Sequence, residues 1–362
     1  MDEFRDALQS HHSGRLTEAL TAYRGVLTQN PDHFGALHYQ GLALAALGNW
    51  PAALISYQKA LAVTPTSVQT LTNLGNAYTK LSDLPKAIYC YEKAIALQPD
   101  YAIAHYNLGE VLKVQGFFPA AERALSEAVR VKQNFPEAWC SLGEVQGEQD
   151  LNDPALRSFN RAIELNPNHI NSYLSLADLY KKLGQSSSAE ITLIAVLGID
   201  PQSSRAQYLL GIALFDQGRL DEALGAFKRA TALKPNFWQA HWWLAISRLN
   251  ANVVSARDPQ SPVDNDSVLT ELETLFNEPD AISEGYRVVG ITQPFYMAYR
   301  ATNNLPLLRR YGALCCRLMA HWQEAKGYRS ATLKDQGRIR VGIVSNQIHK
   351  HSVYTALIKG WL

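Results

Sequence analysis

Six prolines stand on one fixed spacing. Pro31, Pro65, Pro99, Pro167, Pro201 and Pro235 lie 34 residues apart, or 68 apart across the position that Gln133 occupies. An alanine series runs in the same register: Ala19, Ala53, Ala87, Ala121, Ala155, Ala189 and Ala223. Four residues after each alanine comes a large ring or aliphatic: Tyr23, Tyr57, Tyr91, Leu125, Phe159, Leu193 and Phe227. Three residues further on stands Val26, Ala60, Ala94, Ala128, Ala162, Val196 or Ala230. Spacings of three and four place all three positions on one helical face. A self-similarity of this period constrains the fold because one such unit cannot bury its apolar face alone; it must stack on its neighbours. Each unit reads as two antiparallel helices. Proline is expected to close the unit, since it cannot continue a helix and fits the first turn of the next.

The other half of each unit carries a small residue after a leucine: Leu74-Gly75, Leu108-Gly109, Leu142-Gly143 and Leu210-Gly211, with Leu176-Ala177 as a variant. A small side chain there lets the paired helices approach closely. This pattern resembles the tetratricopeptide repeat family. The resemblance implies a superhelix with seven repeats over about residues 1–235, a further first helix over 236–250, and a solenoid of 1–250 in all. Repeat one lacks the Leu-Gly pair and is expected to act as a cap or frayed end.

First helices line the concave wall of such a superhelix. In its middle the wall reads as polar: Asn73, Asn76, Asn107, Glu110, Lys113, Ser141, Glu144, Ser175 and Asp178. Asn73 and Asn107 share one repeat position and would form a ladder toward the backbone of an extended peptide, continued weakly by Ser141 and Ser175. The competing reading is a plain solvated face. The far end reads as apolar: Tyr208, Leu209, Ile212, Phe215, Trp242, Trp243 and Ile246. An exposed patch of that kind is costly, so Tyr208, Phe215, Trp242 and Trp243 are expected to dock the remainder of the chain.

The charge balance of 34 basic against 33 acidic residues leaves no basic footprint for nucleic acid. The four cysteines form no Cys-x-x-Cys pair, and buried thiols in a reducing compartment are expected. No metal site is read. Neither a basic-then-apolar leader nor a membrane-length apolar run is seen, so a cytoplasmic protein is expected.

After Asn250 the period fails. Residues 251–266 read as a linker and 267–337 as a helical connecting region, with Asp266 or Ser267 capping a helix that runs to about Asn277, then helices near 280–302 and 305–325. The aromatic run 293–299 reads as helix packing. Residues 338–362 differ: the run Arg338, Ile339, Arg340, Val341, Gly342, Ile343, Val344, Ser345 reads as a buried parallel strand, followed by a loop and a helix. The expected class is therefore mainly α, with an incomplete Rossmann-like α/β start. One strand makes no sheet, so the sequence is truncated or its remainder comes from another polypeptide.

That run, with Asn346, Gln347, Ile348, His349, Lys350, His351, Ser352 and Val353 after it, resembles the first catalytic strand and loop of the O-linked N-acetylglucosamine transferases, the family 41 glycosyltransferases. Asn73-Leu74-Gly75 and Asn107-Leu108-Gly109 resemble the asparagine ladder of that family's repeats. The resemblance implies transfer of a sugar from UDP-GlcNAc, the donor of a complete enzyme, to Ser or Thr of acceptor proteins held by the solenoid. It places His351 on a family histidine considered as a catalytic base. The family's aspartate-phenylalanine is replaced by Gln347-Ile348, and the donor-binding lobe is absent, so no cofactor is expected on this chain and the chain alone is expected to be inactive. Two alternatives stand beside it: a non-catalytic tetratricopeptide scaffold for protein–protein interaction, and transfer of a hexose to asparagine.

Overall fold

The computed structural model describes residues 2–254, 265–289 and 305–326. Fourteen helices form seven antiparallel pairs. First helices are α1 (Asp2–His12), α3 (Phe34–Ala46), α5 (Val68–Lys80), α7 (Ala102–Val114), α9 (Pro136–Glu148), α11 (Ile170–Lys182) and α13 (Ser204–Asp216). Second helices are α2 (Leu16–Gln29), α4 (Trp50–Val63), α6 (Leu84–Leu97), α8 (Phe118–Val131), α10 (Asn152–Leu165), α12 (Ser186–Ile199) and α14 (Leu220–Leu233). An unpaired α15 (Trp238–Val254) follows, then α16 (Asn265–Leu275), α17 (Pro279–Glu284) with a 3-10 turn, and α18 (Leu305–Ala325). The described residues contain no strand.

The alanine and ring positions form the core. All seven alanines are at most 2% exposed, and so are all seven partners from Tyr23 to Phe227. Each ring presses on the small residue of its paired helix. A Cβ on Gly41, Gly75, Gly143 or Gly211 would sit 2.5–2.7 Å from Tyr57, Tyr91, Phe159 or Phe227. In repeat one the position belongs to Ala7, fully buried against Ala19, Tyr23 and Ala36. The first repeat is thus a packed unit.

The two turns of each unit are built differently. Every first helix ends in a left-handed residue, and these also recur at 34: Gly14, Gly48, Ser82, Gly116, Asp150, Gly184 and Gly218. Glycine takes that conformation without a Cβ penalty; Ser82 (φ 62°) and Asp150 (φ 59°) do not. The 34-spaced prolines lie outside the helices. Pro31 follows the C-cap Asn30, and the next helix starts only at Phe34. This corrects their expected place in a first helical turn. That role belongs to a second series, Pro51, Pro85 and Pro119, at the starts of α4, α6 and α8. A ring nitrogen recurrently closes the other turn. His105 Nε2 bonds the Pro99 carbonyl at 2.8 Å, Trp139 Nε1 the Gln133 carbonyl at 3.0 Å, and His241 Nε2 the Pro235 carbonyl at 2.9 Å. A carbonyl only accepts, so both imidazoles carry hydrogen on Nε2.

The C-terminal helices pack on α15. Trp242, Ala245, Ile246 and Leu249 share a core with Val268, Leu269 and Leu272 of α16, Phe276 and Leu318. Arg310 of α18 bonds Asp266 and Glu273 at 2.6 Å each and Thr270 at 3.0 Å, tying α18 to α16. Helix α16 begins at Asn265, just ahead of the expected cap, and α17 ends at Glu284, short of the helix expected to 302. The 293–299 run, the 338–345 strand, its loop and its helix lie outside the described residues, as does most of the 251–266 linker.

Candidate functional site

The first helices present a groove across the middle repeats. Two adjoining hollows of about 420 Å³ and about 290 Å³ share Lys113, Glu144, Ser175 and Arg205, which belong to α7, α9, α11 and α13. These four helices set the wall because their apolar faces are committed to the paired second helices, leaving the opposite face polar.

Most of the charge in this wall is stitched together. Lys113 bonds Glu110 of its own helix and Glu144 of the next, both at 2.8 Å. Burial works against the Lys113 charge, but the bonds to Glu110 and Glu144 outweigh it and hold its pKa above the ordinary lysine value. Glu144 also accepts from Ser175 at 2.8 Å. Asp178 pairs with Lys181 and with Arg205 at 2.9 Å. Exposed Glu137, Glu148 and Asn171 line the same hollows with no side-chain partner among the described residues. Cys140 lines one hollow, but its thiol is 4% exposed and burial pushes its pKa up to about 11. It is a poor nucleophile at neutral pH.

The peptide-facing positions read from the sequence fall in different settings. Asn73 is half-buried and makes no side-chain bond among the described residues. Asn107 does not meet Asn73; its Nδ2 donates to Asn76 Oδ1 at 2.9 Å, and Tyr91 Oη donates to the same oxygen at 2.8 Å. Ser141 is 6% exposed, and Ser175 is spent on Glu144. Bonds between neighbouring first helices run diagonally. Asn76–Asn107, Lys113–Glu144 and Glu144–Ser175 are each 31 residues apart. Neighbouring first helices meet three residues out of register, about 4.5 Å at 1.5 Å per residue.

The four expected docking residues do not form one surface. Trp242 is fully buried against Phe276 at 5.7 Å and Tyr311 at 5.6 Å, where α16 and α18 cover α15. Trp243 faces the other way, stacked on Phe227 at 5.6 Å and edge-on to Phe215 at 5.2 Å. Tyr208 packs on Phe237 at 4.8 Å, and burial pushes its pKa up to about 12. Tyr208, Phe215 and Trp243 therefore belong to the core joining α13, α14 and α15. Adjacent tryptophans on a helix point about 100° apart, which is why one pair serves two cores. His351 lies outside the described residues. No helix among the described residues is long and apolar enough to cross a membrane.

No curated protein matches the chain. Among solved structures, it is similar to a tetratricopeptide repeat protein from Parabacteroides merdae, with 21% identity, a TM-score of 0.55, and 68% of this chain and 98% of that one covered. It is similar to the Cut9–Hcn1 assembly of the APC/C at 16% identity and a TM-score of 0.56, covering 67% and 48%. PilF of Pseudomonas aeruginosa aligns at 18% identity and a TM-score of 0.51, covering 57% and 94%. At these identities the likeness is one of fold. These comparisons show the repeats read from the sequence and do not show the glycosyltransferase part of that resemblance. Residues 2–241 match the family described as the cilia and flagella-associated protein 70 C-terminal domain. With two-thirds of its length inside that match and seven stacked helix pairs in its fold, the chain is a tetratricopeptide-repeat protein and belongs to this family.

Proposed function

We propose that the chain is a protein-interaction scaffold that holds an extended polypeptide segment along its concave wall, from α7 to α13. One observation carries this reading: the two hollows that share Lys113, Glu144, Ser175 and Arg205 run as one groove across four first helices. The groove is polar and its internal ion pairs hold the wall in shape before a ligand arrives, which lowers the ordering cost of binding. Glu137, Glu148 and Asn171 remain to meet a partner's main-chain amides or cationic side chains. The reading supplants sugar transfer as the leading function, because the described residues form a wall of hydrogen-bonding groups and the family match covers the repeats.

The test is capture from an immobilised library of unstructured peptides, followed by competition between variants. Glu137→Ala combined with Asn171→Ala should weaken bound peptides, by on the order of 1 kcal/mol for each hydrogen bond lost. Tyr89→Ala, on a side chain that is 64% exposed and outside the groove, should leave binding unchanged. Peptides that ignore the groove variant and respond to Tyr89→Ala would place the interaction elsewhere.

A further inference from the structure

The seven second helices share an outer, solvated face, and α12 breaks its pattern. Four residues of α12 stand exposed at helical spacing: Ile191, Ile194, Ala195 and Gly198. Ile191 is 71% exposed and Ile194 55%. The same four positions include a cation in every other second helix: Arg24, Lys59, Lys93, Arg123, Arg157 and Lys228. The one charged side chain of α12, Glu190, is spent on Arg219 and Gln217. Gly198 has no reason within the chain to be glycine. It lies inside the helix, and a Cβ there would meet nothing within 4 Å, whereas glycine weakens a helix. An uncharged apolar stripe on a solvated face, with bare backbone at one end, calls for a cover.

We propose that this face docks an amphipathic helix of a partner protein, one whose apolar stripe is bordered by Asp and Glu. The spacing selects a helix. The stripe rises about 10.5 Å from Ile191 to Gly198 in steps of one turn, which matches the i, i+3, i+4, i+7 stripe of another helix. Ala195 and Gly198 let that helix come close. The charge selects its borders. Level with the stripe, α10 carries Arg157, Arg161 and Glu164, and α14 carries Lys228 and Arg229. Glu164 is paired with Arg161 at 3.0 Å, and Arg229 bonds the neutral Gln207 at 3.0 Å. Arg157 and Lys228 have no side-chain partner among the described residues. The margins of the stripe are thus cationic. The acids Asp153 and Asp221 sit in the first turns of α10 and α14, ahead of it.

A second copy of the chain is the wrong cover. A two-fold axis that brings two α12 faces together sets α10 over α10 when the helices run antiparallel, and α10 over α14 when they run parallel. Arg157 then meets Arg157 or Lys228 of the other copy, and like charges repel. The chain's own remaining segments do not fit either. Residues 255–264 are interrupted by Pro259 and Pro262, residues 290–304 hold Arg300 and no acid, and residues 327–362 hold six Lys or Arg against Asp335 alone. The face lies on the convex side, away from the groove of the first helices. Docking there is independent of a peptide in the groove and lets the chain hold both at once.

Fluorescence anisotropy of the full chain with two labelled amphipathic peptides, each of about five helical turns, tests the site. Both carry leucine and alanine along one stripe; one borders it with glutamate, the other with lysine. The glutamate peptide should bind about tenfold more tightly, and added salt should narrow the gap. Ile191→Ser/Ile194→Ser changes exposed side chains, so α11 and α13 should keep their amide protection while the glutamate peptide weakens about tenfold. Arg157→Glu/Lys228→Glu should reverse the preference between the peptides. Gly198→Leu should weaken binding with the fold intact. Glu137→Ala/Asn171→Ala, in the groove, should leave both peptides unaffected. Equal binding of the two peptides, binding that survives the serine pair, or loss with the groove variant overturns the proposal. So does a dimer of the unaltered chain in light scattering that the serine pair dissolves.

Discussion

Replacing Gly75 by alanine tests what sets the distance within a repeat. The new Cβ would lie 2.5 Å from Tyr91 Cε1, with two further ring atoms at 2.8 and 2.9 Å. Carbon contacts are comfortable at about 3.5–4.0 Å, so the ring must retreat by about 1 Å. It is not free to do so. Tyr91 is 1% exposed, its hydroxyl donates to Asn76 at 2.8 Å, and Thr79 Oγ1 lies 3.2 Å away. Overpacking of this kind costs about 1–3 kcal/mol. Against it stands a gain of about 0.8–1 kcal/mol in helix propensity from glycine to alanine. The net expectation is a loss of about 1 kcal/mol.

A double-mutant cycle separates the two terms. Repeat six pairs buried Ala177 with Leu193, so a leucine and a Cβ can share this contact, although in repeat four a Cβ on Gly109 would lie 2.6 Å from Leu125 Cγ. In a Tyr91→Leu background, where no ring or hydroxyl bond holds the side chain in place, Gly75→Ala should therefore cost less than it does opposite the tyrosine. Repeat arrays do not unfold in one step, so the readout is amide exchange in α5 and α6. There 1 kcal/mol changes the open population about fivefold. An equal effect of Gly75→Ala in both backgrounds would show that the ring does not set the spacing.

Ser82→Gly relieves a left-handed serine costing about 1–2 kcal/mol, less about 0.4–1 kcal/mol of unfolded-state entropy; a denaturation midpoint that falls would contradict this. Gly48→Ala, at φ 77°, should shift the same midpoint downward. Burial pushes the thiols of Cys90 and Cys140 up to about 11, so iodoacetamide at pH 8 should label exposed Cys316 first, and early labelling of Cys140 by mass spectrometry would mean that the groove wall opens. Ending the chain at Val254 uncovers Trp242, which α16 and α18 now bury, and its fluorescence should move to the red. An unmoved spectrum would place those helices elsewhere.

The repeat was legible because its period is carried by residues with a single job. An alanine beneath a ring, and a small residue opposite that ring, are demanded by contact distance, and they recur wherever the contact recurs. The left-handed series from Gly14 to Gly218 carries the same period and was readable in principle. Serine and aspartate at two of its positions hide it. The C-terminal boundaries were harder, because α16 starts after a non-repeating stretch and its partners are distant in sequence.

The groove was legible in composition and illegible in pairing, for one geometric reason. A 34-residue period says which positions are equivalent, and the natural inference is that equivalent residues meet. Stacked helices, however, are offset along their axes, and a side chain leans toward its own N-terminus. Contact therefore falls on the residue one turn earlier in the next repeat, at a separation of 31. Asn76 meets Asn107, and Lys113 meets Glu144. The offset also decides what a ligand can touch. Groups joined across a rung are structural, and those at the groove margins, Glu137, Glu148 and Asn171, have bonding capacity to spare. Under the scaffold role proposed above, a ligand would meet this surface at its edges, along a wall whose centre is already closed upon itself.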